Sequence, residues 1–245
     1  MKYRAIILAA GIGSRLRPLT DLVPKCMVKV NGEYIIDRQI EALIRAGVTD
    51  ILVCSGYKSD VLKQHLEKSY PSIKILEIPE YESTNNMYSM FRTKDFSYDH
   101  DIIVMNADVF VSYDYVKKLI LSPIPNAILT ERGRFEEENM KIVCNHGTIS
   151  QISKQIEQKN AFGTTIDLYK FSKEFTKKWF EIMNEYINVK CEKKLWNEVG
   201  INDMFRFFNV KPITIGKYWF EIDNIEDLRN ANALFLEESN TKSNK

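Results

Sequence analysis

Short aliphatic runs alternate along the chain with stretches in which apolar residues return every three or four positions, the rhythm of strands followed by helices. Residues 3–8 form a β-branched and aliphatic run that stops at Ala9-Ala10-Gly11-Ile12-Gly13, as a buried parallel strand does where it enters a loop. Ile36, Ile40, Leu43 and Ile44 then keep helical spacing, with Gly47 placed to end the helix. A strand at 51–54, a helix over 59–68, a strand at 73–78, a helix over 86–92 and a strand at 101–105 continue the alternation. This predicts an α/β fold with a Rossmann-like, doubly wound, mostly parallel mixed sheet. From Ala127 the texture changes. Residues 127–130, 140–143 and 148–152 read as strands joined by short polar turns, an antiparallel extension of the sheet.

Phe175, Trp179, Phe180, Ile182 and Met183 put a helix over 173–186, with Trp179 and Phe180 read as core. A helix over 198–207, a strand at 210–215, an extended segment at 219–223 and a helix from 225 to about 236 complete the reading. Residues 1–238 are expected to form a single domain, and the polar stretch 239–245 a disordered tail.

Composition narrows the class. The 245 residues are 44% hydrophobic, and 34 Lys and Arg face 33 Asp and Glu, so the chain is globular and lacks the cationic excess that drives non-specific nucleic-acid binding. No apolar run approaches the roughly 18 residues of a membrane span, and the N-terminal run turns polar too early for a signal peptide. A soluble cytoplasmic protein is expected. The 4 cysteines are scattered and the 3 histidines ungrouped, which argues against a zinc site or a disulfide framework.

Most of the chemistry sits in Leu8-Ala9-Ala10-Gly11-Ile12-Gly13-Ser14-Arg15-Leu16-Arg17-Pro18-Leu19-Thr20 and in Pro24-Lys25. Small residues let the backbone approach a ligand, so the N–H groups of Gly11, Ile12, Gly13 and Ser14 are placed to cradle phosphate oxygens, with Arg15 and Lys25 adding positive charge. The run is neither a dinucleotide fingerprint, since Leu16 stands where the last glycine belongs, nor a Walker A loop, since it lacks G-K-[ST]. Asp108 follows the apolar run Ile102-Ile103-Val104-Met105, which places it at the carboxyl end of a strand on the glycine loop's edge of the sheet. Asp223 follows Trp219-Phe220 and can reach the same crevice. Two such carboxylates suit Mg²⁺ with triphosphate oxygens, although an Asp in either place also serves as a helix cap.

The loop with its Pro-Lys resembles the signature of the nucleotidyltransferases that join an NTP to a phosphorylated acceptor, with the proline one residue closer than in some members. Gly56-Tyr57, Asn106-Ala107-Asp108 and Phe220-Glu221-Ile222-Asp223 extend the resemblance over most of the chain, and Asn85-Asn86-Met87-Tyr88-Ser89 makes it most similar to the small cytidylyltransferases, including the phosphocholine enzymes. The resemblance implies CTP as donor, with a phosphoglutamine-like or phosphocholine-like acceptor and a place in capsule biosynthesis. It also implies Mg²⁺ or Mn²⁺ on Asp108 and Asp223, with Glu221 as a further or supporting ligand.

The chemistry is then in-line attack by an acceptor phosphate oxygen on the α-phosphorus, with pyrophosphate leaving. Arg15, Lys25 and Asp108 carry it: Arg15 and the loop amides on the β- and γ-phosphates, Lys25 on the α-phosphate and the acceptor. Backbone groups of Leu8 and Ala10, together with Gly56, Tyr57, Asn85 and Asn106, are assigned to the nucleotide, although Asn85 and Asn86 also suit helix capping. Trp196 is assigned to the acceptor, and for a polar or zwitterionic phosphorylated metabolite the charged stretch from Arg132 to Lys141 and Trp196-Asn197-Glu198 are read as shaping its pocket. Met140 and Leu195 stand near positions that hold rings in the phosphocholine enzymes, which weakens an aromatic cage for a quaternary ammonium. A sugar-1-phosphate nucleotidyltransferase using UTP or dTTP is the enzyme alternative, and a non-catalytic nucleotide-binding subunit the alternative of another class. The oligomeric state is left open.

Overall fold

The computed structural model describes residues 3–136 and 138–243. Strand β1 (Arg4–Ala9) is buried at every position from Ala5 to Ala9, which an all-apolar run achieves only between two covered faces. A small hairpin, β2 (Lys29–Val30) and β3 (Glu33–Tyr34), leads into α1 (Ile35–Arg45), β4 (Asp50–Ser55), α2 (Ser59–Ser69), β5 (Lys74–Glu77), α3 (Asn86–Arg92), α4 (Lys94–Ser97) and β6 (Ile102–Asn106). There follow β7 (Val109–Val111), α5 (Tyr113–Leu121), β8 (Ala127–Glu131), β9 (Lys141–Asn145), β10 (Thr148–Ser153), β11 (Gly163–Phe171), α6 (Lys173–Asn184), α7 (Asn197–Met204), β12 (Lys211–Ile215), β13 (Trp219–Glu221) and α8 (Ile225–Ser243).

Among the described residues nine strands form the main sheet. Strand β1 lies between β4 and β6, parallel to both, and β5 adds in parallel beyond β4. Strand β11 then runs antiparallel to β6 and carries β8 on its other side; β12 continues in parallel from β8, and the β9–β10 hairpin joins at the first residues of β11. Ile36, Ile40 and Leu43 of α1, Leu62 and Leu66 of α2 and Leu119 of α5 cover one face. Met87 and Met90 of α3, Phe175 and Trp179 of α6 and Ile201 and Met204 of α7 cover the other. A mostly parallel, helix-covered sheet with an antiparallel flank is the doubly wound mixed fold the sequence predicts.

Three features depart from the sequence reading. The nine-residue β11, buried throughout, interleaves Thr164, Thr165, Asp167 and Lys170 with its apolar residues, so neither an apolar run nor a strict alternation marks it. Helix α5 buries only Val116, Leu119 and Ile120, a stripe too brief to stand out between two strands. Helix α8 extends to Ser243, past the end near 236 that the sequence reading gives it; no Gly or Pro follows Ile225, and extending an existing helix costs far less than starting one. Residues 244–245 lie outside the described residues. Among the described residues no helix is long and apolar enough to cross a membrane.

Candidate active site

Strands β1 and β6 end side by side, with Leu8 opposite Asn106, and a cavity of about 490 Å³ opens over their carboxyl ends. This is the edge where an open α/β sheet leaves a crevice, because the connections on either side of β1 diverge to opposite faces. Leu8, Ala10, Gly11, Arg15 and Lys25 line it from the first loop, Asn106 and Asp108 from the end of β6, and Glu221 and Asp223 from β13 and its exit. Strand β13 reaches the site by pairing with β7, and Ile222 N–H donates to the Asp108 carbonyl at 2.9 Å.

The loop is held in shape from behind. Gly13 has φ 65°, and a Cβ there would stand 2.8 Å from Lys25 Cβ, so the residue must be glycine both for its backbone and for the lysine stem beside it. Thr20 Oγ1 donates to the Gly13 carbonyl at 2.9 Å. Gly56 packs against the other wall, where a Cβ would meet the Ala10 carbonyl oxygen at 2.7 Å; Tyr57 N–H donates to that oxygen, and the Tyr57 hydroxyl donates to the Thr20 carbonyl at 3.0 Å. Gly56 and Tyr57 thus brace the loop from outside the cavity. Ile12, Gly13 and Ser14 lie on the loop's outer turn rather than on the cavity wall.

The Lys25 ammonium stands at the centre, donating to Asp108 Oδ2 at 2.8 Å and to Asp223 Oδ1 at 2.6 Å, while Arg15 Nη2 meets Asp223 Oδ2 at 2.8 Å. Burial pulls the Lys25 pKa down, but the charges and hydrogen bonds of Asp108 and Asp223 outweigh it and leave it raised. Burial pushes Asp223 up, and Lys25 with Arg15 more than reverses this, holding it below the usual carboxylate range. The capping alternative for Asp223 is resolved by its neighbours: Asn224 Oδ1 accepts from the N–H groups of Glu226 and Asp227 at the start of α8. The Asp223 carboxylate remains with the cations.

Asp108, Glu221 and Asp223 bring one oxygen each within 4.8 Å of one another. Burial, and then the charges of Asp108, Asp167 and Asp223, push the Glu221 pKa well above its ordinary value, a sign of anionic charge still undercompensated by Lys25. Asp108 Oδ1 is buried with no hydrogen-bond partner. An all-oxygen donor set with an orphaned carboxylate oxygen and surplus negative charge fits a hard divalent cation of the magnesium or manganese type. These three side chains are the ones that could hold it.

Asn85 lines the cavity and also caps α3, its Oδ1 accepting from Asn86 N–H at 2.8 Å; Asn86 Oδ1 in turn accepts from Asn197 N–H. The capping reading of Asn85 is thus observed, on a residue that also lines the cavity. Trp196 is 44% exposed at the rim, with Lys154 Nζ 5.1 Å from its ring centre and 2.9 Å from Glu138 Oε2. Trp179 and Phe180 are core, as expected.

On the far wall the sequence reading held Glu198 but lacked Asp167. Asp167 on β11 lines the cavity where the strand bulges: residues 166–168 stand opposite Leu129 alone, and Asp167 takes φ 55°. Its carboxylate accepts from Asn106 Nδ2 at 2.8 Å and from the Tyr169 hydroxyl at 2.7 Å. Glu198, at the start of α7, meets the same hydroxyl. Burial, with the Glu198 charge next, raises Asp167 to about 8, and burial likewise raises Glu198. The one available signal was an acid within a strand-like segment, which carries weight only once that segment is recognised as a strand.

The Nucleotidyl transferase family profile matches residues 4–122. The chain is 33% identical over 246 residues to the CTP:phosphoglutamine cytidylyltransferase of Campylobacter jejuni, covering 91% of this chain and 97% of that protein. It is 36% identical over 115 residues to the 2-aminoethylphosphonate cytidylyltransferase of Lancefieldella rimae, covering 47% of this chain and 46% of that one. In structure it resembles the CTP:phosphocholine cytidylyltransferase of Streptococcus pneumoniae with a TM-score of 0.79 at 24% identity, over 96% of this chain and 100% of that chain. The inositol-1-phosphate CTP transferase of T. maritima aligns with a TM-score of 0.79 at 19% identity, over 95% and 94%. With the glycine loop, lysine and carboxylates gathered at the carboxyl edge of the sheet, and with this breadth of similarity, the chain belongs to the nucleotidyl transferase family and is an enzyme of that class.

Proposed function

We propose that the protein transfers CMP from CTP to the phosphate of a small-molecule acceptor and releases pyrophosphate, as a cytoplasmic enzyme dependent on Mg²⁺. The carrying observation is the meeting of Lys25 with Asp108 and Asp223 at the mouth of the Gly11 loop. The similarity to cytidylyltransferases over nearly the whole chain supports CTP as donor and a phosphorylated acceptor.

The acceptor phosphate oxygen forms the new bond to the α-phosphorus, the bond from that phosphorus to the bridging oxygen breaks, and pyrophosphate departs with the electron pair. Two anions must be brought together, so charge neutralisation and alignment supply the rate. Arg15 and the Gly11 amide, the part of the loop on the cavity wall, are the groups for the β- and γ-phosphates. Lys25 is the group for the α-phosphate and the incoming phosphate. A divalent cation held by Asp108, Asp223 and Glu221 would neutralise triphosphate charge when bound. A phosphate dianion needs no general base, in keeping with a cavity lined by no histidine among the described residues. The Asn85 amide nitrogen and the backbone at Leu8 and Ala10 are the polar groups available to a pyrimidine edge.

The test is pyrophosphate release with Mg²⁺ over a grid of four nucleoside triphosphates against phosphocholine, phosphoethanolamine, phosphoglutamine, glycerol 3-phosphate and glucose 1-phosphate. Turnover confined to CTP is expected. Faster turnover of glucose 1-phosphate with UTP or dTTP replaces the proposal with a sugar-phosphate nucleotidyltransferase.

A further inference from the structure

The far wall of the cavity has more to say about the acceptor. The Tyr169 hydroxyl oxygen lies 2.7 Å from Asp167 Oδ1 and also within hydrogen-bond distance of Glu198 Oε1. A phenol carries one proton. It satisfies one carboxylate and leaves the second contact, oxygen against oxygen, without a hydrogen unless a further proton or a donor cation supplies it. Asp167 and Glu198 are 8% and 4% exposed, so water does little to relieve the charge. Asp167 comes from β11, the strand that also carries Tyr169, and Glu198 from α7; the bulge with positive φ at Asp167 places its carboxylate on the cavity wall.

Charge over the whole cavity points the same way. Asp108, Asp167, Glu198, Glu221 and Asp223 line it, and Lys25 and Arg15 are both already engaged with the Asp108 and Asp223 end. Lys154, the remaining basic lining residue, is paired with Glu138 over the Trp196 ring at the rim. The Asp167 and Glu198 end is thus acidic without a basic side chain hydrogen-bonded to it. Asn106, which donates to Asp167, brings a neutral amide.

Resting on the cytidylyltransferase reading, we infer that the acceptor carries a primary ammonium group which binds between Asp167 and Glu198 beside the Tyr169 hydroxyl. Three N–H donors on a compact cation match two carboxylates and a hydroxyl oxygen at once. A sugar hydroxyl brings hydrogen bonds but leaves the negative charge in place. A quaternary ammonium brings charge but no N–H, and needs aromatic faces that this wall does not offer: Tyr81 and Trp196 are the lining rings, and the Trp196 face is occupied by Lys154. Asp167 and Glu198 are thus specificity-determining residues, away from the reacting phosphates.

The test measures pyrophosphate release with CTP and Mg²⁺ for phosphoethanolamine and O-phosphoserine, each as the free amine and as the N-acetyl derivative, alongside phosphocholine. The wild-type protein is expected to favour each free amine over its N-acetyl form, and phosphoethanolamine over phosphocholine, by at least about tenfold in kcat/KM, the worth of one charge-assisted contact. In Glu198→Gln the ratio of amine to N-acetyl form should collapse to within about threefold, with the change carried in acceptor KM. Equal or better use of the N-acetyl forms by the wild-type protein overturns the inference and leaves the cytidylyltransferase reading standing. No release with CTP from any of these acceptors removes that reading and the inference with it. The wild-type ratio decides the matter even if the variant fails to fold.

Discussion

Replacing Lys25 with methionine keeps most of the unbranched stem and removes the cation shared by Asp108 and Asp223, whose side chains are 23% and 17% exposed. The cost is bounded, because a carboxylate stranded among others escapes by taking up a proton. At pH 7 that escape costs about 1.36 kcal/mol for each unit between the ordinary Asp value of about 3.9 and the solvent, or about 4 kcal/mol, and at pH 5 only about 1.5 kcal/mol. A loss of about 2–4 kcal/mol at pH 7 is therefore expected for the metal-free Lys25→Met protein, which for a chain of this size corresponds to a fall in Tm of roughly 4–16 °C. The sign of the pH dependence follows from proton counts. In the variant the folded acids hold protons more tightly than the unfolded ones, so its stability declines as pH rises from about 4 to 7 and the gap to wild type widens. The ammonium also blocks the carboxylates that a divalent cation would use, so Mn²⁺ without nucleotide should bind the variant more tightly and restore part of the lost Tm. Thermal melts in chelator and with Mn²⁺ at pH 5 and 7, with Mn²⁺ binding followed by electron paramagnetic resonance, give both readouts. A gap of the same size at both pH values, or weaker Mn²⁺ binding in the variant, would refute the reasoning.

Asp108→Asn should keep the fold, with a melt close to wild type, and lower turnover at least about a hundredfold, as loss of a charge-stabilising group does; near-normal pyrophosphate release would remove Asp108 from the reaction. Asp167, raised to about 8, makes the folded state bind more protons than the unfolded between the ordinary Asp value and pH 8, so its charge destabilises the fold as pH rises through that window. Asp167→Asn should accordingly stabilise the protein by about 1–2 kcal/mol at pH 8.5 and by little at pH 5, while acceptor use suffers; urea melts that show equal gains at the two pH values would contradict the assignment. Gly13→Ala forces a Cβ onto a positive φ and against Lys25, and should cost about 1–2 kcal/mol in stability and raise the KM for CTP; an unchanged KM would show that the loop tolerates displacement of the lysine stem.

How much of this site could be read from the sequence depended on whether a residue's role is written in its neighbours along the chain. The first loop was legible because several requirements fall on consecutive residues: a strand that must stop, a glycine at positive φ, and a cation on the same edge of the sheet. Asp108 was legible for a similar reason, since the apolar run before it fixes its place at the end of a strand. Asp223 was half legible. Its position before a helix suits a cap equally well, and only the structure shows Asn224 doing the capping and leaving the Asp223 carboxylate to Lys25 and Arg15. Asp167 was not legible, because most of what gives it meaning is distant in sequence: Asn106 is 61 residues away, Glu198 reaches it through the neighbouring Tyr169, and the bulge that carries it exists only once β8 is paired. The strand that carries it is concealed by the same chemistry, since buried Thr164, Thr165, Asp167 and Lys170 break the alternation that marks a strand. The glycine loop, built on consecutive residues, is thus what local sequence shares with a broad family. The far wall is assembled from polar residues that only the fold brings together.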